Sequence, residues 1–271
     1  MLNQFNSFKL YVLSLELFLG SVAGFVFAIL GMGPGLIFVS SLHTICNFPL
    51  KKAIVGSLLL LVPVSTITAL LHYTYQPRLP DFIEWLILGT ITGVLIGILV
   101  RKYASKQILK KLFCLFLSII LIRHWLQLTG YILILDDAVI LHYHHHFIIG
   151  FLASLLSSTM GIGGGVMIVT CYFSLLNFPP KISTQIAVYV VLINAWLNTL
   201  ICYKQIYWNK SLTKLLMGAF IGNLVGIMTF QLMSEYLLRT IYGILLMIIL
   251  VKMVAKKDSP EKNCDEETRV D

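Results

Sequence analysis

Long apolar runs separated by short polar or basic stretches recur along the whole chain, at residues 11–30, 53–71, 82–100, 112–135, 185–202, 212–233 and 241–254. A helix needs about 20 predominantly apolar residues to cross the hydrocarbon core of a bilayer. Each run therefore predicts a membrane helix, and together they predict an all-α polytopic membrane protein. Two further apolar stretches, 36–46 and 166–176, are too short for an ordinary crossing. The longest polar stretch is the tail 256–271, so no soluble domain can be fitted in.

Each short stretch follows a break in the apolar pattern. The first is Gly31-Met32-Gly33-Pro34-Gly35 and the second is Gly161-Ile162-Gly163-Gly164-Gly165. Glycine and proline are the residues least suited to a helix interior. Broken backbone at membrane depth is tolerated only where it is buried in protein or lines a polar cavity. The pattern predicts a half-helix starting at each break. Its N-terminus, with unpaired N–H groups and partial positive charge, would point into the protein. Such an end suits an anion, and glycine lets a ligand approach the backbone closely. The alternative is close helix packing. That reading fits Gly89/Gly93/Gly97 and Gly218/Gly222/Gly226, which recur every four residues on one helix face. Alternating Gly-x-Gly does not fall on one face.

The chain also matches itself. Shifted by 130 residues, Gly31, Gly33 and Gly35 fall on Gly161, Gly163 and Gly165, and Asn47-Phe48-Pro49-x-Lys51 falls on Asn177-Phe178-Pro179-x-Lys181. Leu70 and Tyr73 fall on Leu200 and Tyr203; with a shift of 129, Gly89, Gly93 and Gly97 fall on Gly218, Gly222 and Gly226. The expectation is an internal duplication: a first membrane repeat over 1–139, a second over 140–257 and a polar tail over 258–271. Each repeat would hold about four full helices plus a Gly-broken short segment. Duplicated halves are common in membrane transporters, with the site between them near the midplane. The run 11–30, preceded by Lys9, could also be read as a secretory leader. Its counterpart 141–160 lies mid-chain, so a retained first helix is expected.

Composition agrees with the pattern. Hydrophobic residues make up 58% and charged residues 12%, against about 25% charged in soluble domains. The mean hydropathy is +0.88. The net charge of +8 comes from Lys and Arg gathered in short loops, as on the cytoplasmic flanks of membrane helices. It calls for no nucleic acid. The five cysteines show no CxxC spacing and read as small core hydrophobes.

Residues 101–111 carry five positive charges and no acid, which marks them as cytoplasmic. Residues 75–81 then lie outside and Lys51-Lys52 inside. If 36–50 is a separate short pass, the second half is inverted, both termini are inside, and Lys204, Lys210 and the tail lysines are cytoplasmic. If the broken run counts as one pass, the repeats are parallel and those lysines fall outside. The charge rule favours inverted repeats.

Several polar residues lie in the apolar runs. Asn194 and Asn198 are one helical turn apart in the long run after the second break; Val64 and Thr68 hold the matching positions in the first half, with Ser65 and Thr66 adjacent. Amides in an apolar helix either bond a neighbouring helix or line a cavity. Pro63 would kink the first-half helix near the same level. Glu16 could carry a coupling proton or sit at the headgroup level, and the interface reading is preferred because Lys9 lies within two turns. His43 could contact a proton or anion, or be a hydrogen-bonded interior histidine. His142, His144, His145 and His146 resemble a metal cluster, but no Cys or Glu completes a set, so an interfacial loop is expected.

The pattern Gly-x-Gly-(Gly/Pro)-Gly, an apolar run, then Asn-Phe-Pro and a long apolar helix, given twice, resembles the TauE/SafE family of sulfite-exporter-like permeases. The most specific piece is "GIGGGVMIV" followed by "NFPPK", and Ala53-Ile54-Val55-Gly56-Ser57-Leu58 is similar to the family's helix start. Pro34 stands where the family has glycine, and Ala187 stands where the first copy has Ser57. The resemblance implies a multi-pass protein of the cell membrane, the inner membrane in a bacterium, that transports a small sulfur-containing or organic anion and needs no cofactor. The expected mechanism is alternating access of one half against the other. The expected substrate contacts are Gly31, Gly33, Gly35, Gly161, Gly163, Gly164 and Gly165, with Ser57, Thr68, Asn194 and Asn198 as side-chain candidates. No GxxxxGK[ST] is present, so energy would come from a coupling ion, proton or sodium, or from the substrate's own gradient. The rival class is a membrane enzyme or a non-transporting assembly or accessory protein. No HExxH, no GxSxG and no intramembrane carboxylate pair supports an enzyme.

Overall fold

The computed structural model describes residues 2–75, 79–101, 106–128, 142–160, 163–201 and 208–255, and among these the chain is all-helical. The helices are α1 (Leu2–Leu30), α2 (Gly35–Thr44), α3 (Leu50–Tyr75), α4 (Ile83–Arg101), α5 (Lys106–Leu128), α6 (Tyr143–Met160), α7 (Gly165–Val169), α8 (Pro180–Ile201), α9 (Lys210–Leu232) and α10 (Glu235–Ala255). A π-helical segment, Thr170–Leu175, continues α7. The two short stretches are short helices, as the pattern predicts. Most full helices run a turn or so beyond their apolar runs, because polar first turns such as Lys106–Lys111 and Glu235 are still helical. The predicted run 112–135 is helical to Leu128; its remainder lies outside the described residues.

Four helices among the described residues are long and apolar enough to cross a membrane: Lys52–Tyr75, Ile83–Val100, Pro180–Ile201 and Lys210–Leu232. The distribution of polarity is inverted relative to a soluble protein. Phe18, Leu99, Ile122, Leu152 and Met228 are exposed, whereas Ser57, Ser65, Thr68, Asn194 and Asn223 are buried. Exposed large apolar side chains in such number suit lipid rather than water.

Two helix pairs frame the molecule. In the first, Gly89, Gly93 and Gly97 of α4 lie against the backbone of Phe147, Phe151 and Leu155 of α6. In the second, Gly218, Gly222 and Gly226 of α9 lie against Leu17, Ser21 and Phe25 of α1. A Cβ at any of these glycines would strike the partner helix, so the absent side chain sets the interhelical distance. Residue numbers rise together in both pairs, so each pair is parallel. The contacts fall at positions 130 apart on α1 and α6 and 129 apart on α4 and α9.

Between the pairs, α3 packs on α8. Trp196 Nε1 donates to Thr66 Oγ1 at 3.3 Å and Thr199 Oγ1 donates to Leu58 O at 3.3 Å. At the other end, His72 and Tyr75 of α3 share a cavity with Lys181 of α8. Numbers rise along one helix as they fall along the other, so α3 and α8 run antiparallel. The apolar interior divides into a cluster around Phe27, Phe38, Leu61 and Leu212 and another around Tyr172, Phe173 and Tyr242.

Candidate functional site

Helix α1 stops where Gly31 and Gly33 take φ of +64° and +76°, a region that side chains disfavour. Gly31 N–H still donates to Phe27 O at 2.8 Å, so the break starts cleanly after the last turn. The residue before α2 is Pro34, with φ −76°. At the second break Gly163 and Gly164 take φ of +91° and +77°, and α7 begins at Gly165. Neither Pro34 nor Gly164 has a side-chain acceptor to cap the first-turn amides. Both short helices therefore present N–H groups and the positive end of the backbone dipole to the protein interior.

The far ends of the short helices show what Asn-Phe-Pro does. Asn47 and Asn177 adopt φ of +53° and +55°, which asparagine tolerates better than most residues. Phe48 N–H then donates to Leu42 O at 3.0 Å, and Phe178 N–H to Tyr172 O at 2.9 Å. Pro49 and Pro179 stand at the start of the next helix, where a missing N–H costs little.

The two breaks meet in the middle of the molecule. A Cβ on Gly165 would run into the carbonyl oxygen of Gly31 and lie 2.8 Å from Val191 Cγ2. A Cβ on Gly31 would lie 2.7 Å from Thr184 O and 3.2 Å from the Ala187 Cβ. Helix α8 is thus the common wall; Gly31 is held to glycine by close backbone approach and by its positive φ, Gly165 by close approach alone.

At the second break the wall turns polar. A Cβ on Gly164 would lie 2.6 Å from Asn194 Nδ2 and 3.2 Å from Ser157 Oγ. Asn194 is 1% exposed, and neither its Nδ2 nor its Oδ1 has a hydrogen-bond partner. Leaving a buried polar group unpaired costs about 1–3 kcal/mol. An amide with donor and acceptor both unengaged, beside an uncapped helix start, is a group that a polar ligand completes.

The remaining predicted residues separate. Gly163 belongs to the second break, with Leu61 Cδ1 3.9 Å from where its Cβ would be. Gly33 and Gly35 belong to the first break, and Gly161 lies outside the described residues. Asn198 Nδ2 turns back along its own helix to Asn194 O at 2.8 Å, and Ser57 Oγ does the same to Ile54 O at 2.8 Å. Thr68 Oγ1 donates to Val64 O at 2.7 Å and accepts from Asn223 Nδ2 at 2.6 Å. Asn223 of α9 is fully buried with Oδ1 unpartnered, a polar residue the sequence reading passed over. The signal was an amide in an apolar helix; its neighbour Gly222 drew the segment into the packing motif instead.

The other ionisable candidates lie apart. Glu16 is buried, pairs with Lys214 Nζ at 3.0 Å and accepts from the Cys46 thiol at 3.4 Å. It faces the first turns of α9 and the turn after α2. His43 is exposed at the end of α2, with Nδ1 2.8 Å from Phe48 O, so it is no interior contact. His142, His144 and His145 are exposed, but His146 turns inward, where Nδ1 meets Tyr172 Oη at 2.8 Å and the ring stacks on Phe82 at 3.8 Å. Among the described residues no three His, Cys, Asp or Glu side chains gather as a metal site would require. Behind the second break, Tyr242 Oη donates to Thr170 Oγ1 at 2.5 Å, and Thr170 donates to Val166 O, at the start of the π-helical segment.

The model of a family described as "Sulfite exporter TauE/SafE" matches residues 16–253. A curated protein of Bacillus subtilis (strain 168), "Probable membrane transporter protein YunE", is 23% identical over 256 residues, which covers 85% of this chain and 93% of that protein. No solved structure matches.

Proposed function

The chain belongs to the sulfite exporter TauE/SafE family, and on that premise we propose that it is a secondary transporter of a small anion working by alternating access. It is a multi-pass membrane protein, and its curated relative is named as a probable membrane transporter. The observation that carries the anion reading is the Asn194 amide, buried and unengaged beside the uncapped start of α7. In this reading the backbone N–H groups at Gly165 and the next residues donate to the anion's oxygens. Asn194 Nδ2 adds a side-chain donor and Ser157 Oγ lies close enough to add another. A sulfite-like or sulfonate oxyanion has the acceptors for these donors, and the family's name is consistent with it.

The antiparallel course of α3 and α8, which carry matching segments of the two expected repeats, favours the inverted arrangement over the parallel one. Inverted repeats supply two nearly equivalent packings of one half against the other, the usual basis of alternating access. A coupling ion, proton or sodium, completes the scheme. The test is flux of sulfite, and of short sulfonates and carboxylates, into proteoliposomes, paired with thermal stabilisation of the purified protein by the same anions. Flux and stabilisation by one of them, both lost in Asn194→Leu, are expected. Stabilisation by none of them and no flux would instead favour an accessory role on the same fold.

A further inference from the structure

A second polar feature lies away from Asn194. A cavity of ≈130 Å³ opens between the last turn of α3 (His72, Tyr75), the start of α8 (Lys181) and the last two turns of α9 (Ile227, Phe230, Gln231). That is room for about four waters or one small oxyanion. Among the described residues its wall holds one cation, Lys181, and no carboxylate; Tyr75 and Gln231 add side-chain donors. His72 is 2% exposed, its ring set edge-on to Phe230. Its Nε2 lies 3.1 Å from Ala28 O, an oxygen that only accepts, so Nε2 carries a proton. Among the described residues Lys181 Nζ donates to Gln231 O at 3.2 Å, and an ammonium has three protons to give.

The position of the cavity matters as much as its lining. Ala28 is one turn before the break at Gly31, and Thr184, whose carbonyl abuts Gly31, is one turn after Lys181. The cavity therefore adjoins the first break at the ends of α3 and α9. Tyr75 and Gln231 are exposed, so it communicates with the surface.

We infer that this cavity is a recruitment subsite for a small oxyanion, with Lys181 as its counter-charge, at one mouth of the transport path. The inference rests on the anion-transport reading above, and it adds a site that the glycine breaks do not contain. A compact ammonium in a partly enclosed wall raises the local concentration of anions and speeds their capture. The bland role for Lys181 is to cap the final carbonyls of α9; that role predicts no preference for anions in the cavity.

The test labels the cavity without relying on transport. Gln231→Cys leaves the carbonyl that Lys181 uses. The variant, in maltoside micelles, is reacted with an anionic (sulfonatoethyl) and a cationic (trimethylammonium-ethyl) methanethiosulfonate. Rates are normalised to a free thiol and compared with the parent chain. The anionic reagent should be favoured by on the order of five-fold, falling toward parity when Lys181→Gln is added and returning with Lys181→Arg. Ethanesulfonate at constant ionic strength should slow labelling saturably. A ratio near one in Gln231→Cys, a preference that survives Lys181→Gln, or no protection by ethanesulfonate overturns the subsite. If Lys181→Gln does not fold, the protection experiment on Gln231→Cys alone decides. Protection by added phosphatidylglycerol but not by ethanesulfonate assigns the cavity to a lipid headgroup and also overturns it. Asn194→Leu flux is measured separately, so loss of the central site with the subsite intact, or the reverse, is visible.

Discussion

The two breaks share a backbone plan and differ in chemistry at three positions. Ser157, Gly164 and Asn194 meet at the second, and 130 residues earlier the chain has Phe27, Pro34 and Val64. Phe27 and Val64 are fully buried in an apolar cluster, and Pro34 holds φ −76°. Gly164 holds φ +77°, open only to glycine without strain, and brings its α-carbon against Ser157 and Asn194. At these positions one half carries hydrocarbon, and the other carries hydroxyl and amide groups beside its helix start. In the proposed function a helix N-terminus alone does not make a ligand site; the side chains that face it do. The short helices diverge too: α2 stays α-helical to Thr44, whereas α7 passes into a π-helical segment after five residues. Such segments are rare and recur near functional sites.

The largest effect should come from the contact between the breaks. Gly165→Ala places a methyl group on the Gly31 carbonyl, and about 3 kcal/mol or more of stability should be lost. Gly163→Ala meets nothing closer than Leu61 Cδ1 at 3.9 Å, so it should cost only the strain of its φ, about 1–2 kcal/mol. Thermal unfolding in detergent would show the order, and equal losses would mean that the breaks do not press on each other.

Next comes the exchange of side chains across the comparison. Asn194→Leu should abolish anion stabilisation while raising intrinsic stability by about 1 kcal/mol, because an unpaired buried amide is removed. Val64→Asn should cost about 2 kcal/mol, because it buries an amide among hydrocarbon, and should not raise flux. A Val64→Asn protein with normal stability would show that the first break has polar room after all.

Thr68→Val takes the acceptor from Asn223 Nδ2 and should cost about 1–2 kcal/mol, with flux within a few-fold of the parent. Loss of flux at unchanged stability would instead move Thr68 and Asn223 into the substrate path. The smallest change is Pro34→Gly, which gives the first break the residue of the second. Extra freedom in the unfolded chain should lower stability by about 0.5–1 kcal/mol, and flux should stay put. Flux that rises would indicate that the proline itself keeps the first break from serving as a binding site.

Much of this was open to reading along the chain. Apolar runs separated by short charged loops predicted the helices, because lipid leaves the backbone few alternatives. The glycine breaks and the Asn-Phe-Pro turns were visible because they need residue types that tolerate unusual φ. The glycines at period four told of close helix pairs. Asn194 was found as an amide in an apolar run, but so was Asn198, which proves to bond its own helix, and Asn223 was missed.

Sequence by itself determined where helices begin, break and turn, since those are local matters of backbone freedom and hydrocarbon length. Which helices pair, that α3 and α8 oppose each other, and that Gly31 touches Gly165 were decided only by tertiary packing. The same holds for the site: an amide facing its own helix and an amide facing a helix start look alike along the chain. Their difference lies in which way each side chain turns, Asn198 onto its own helix and Asn194 toward Gly164.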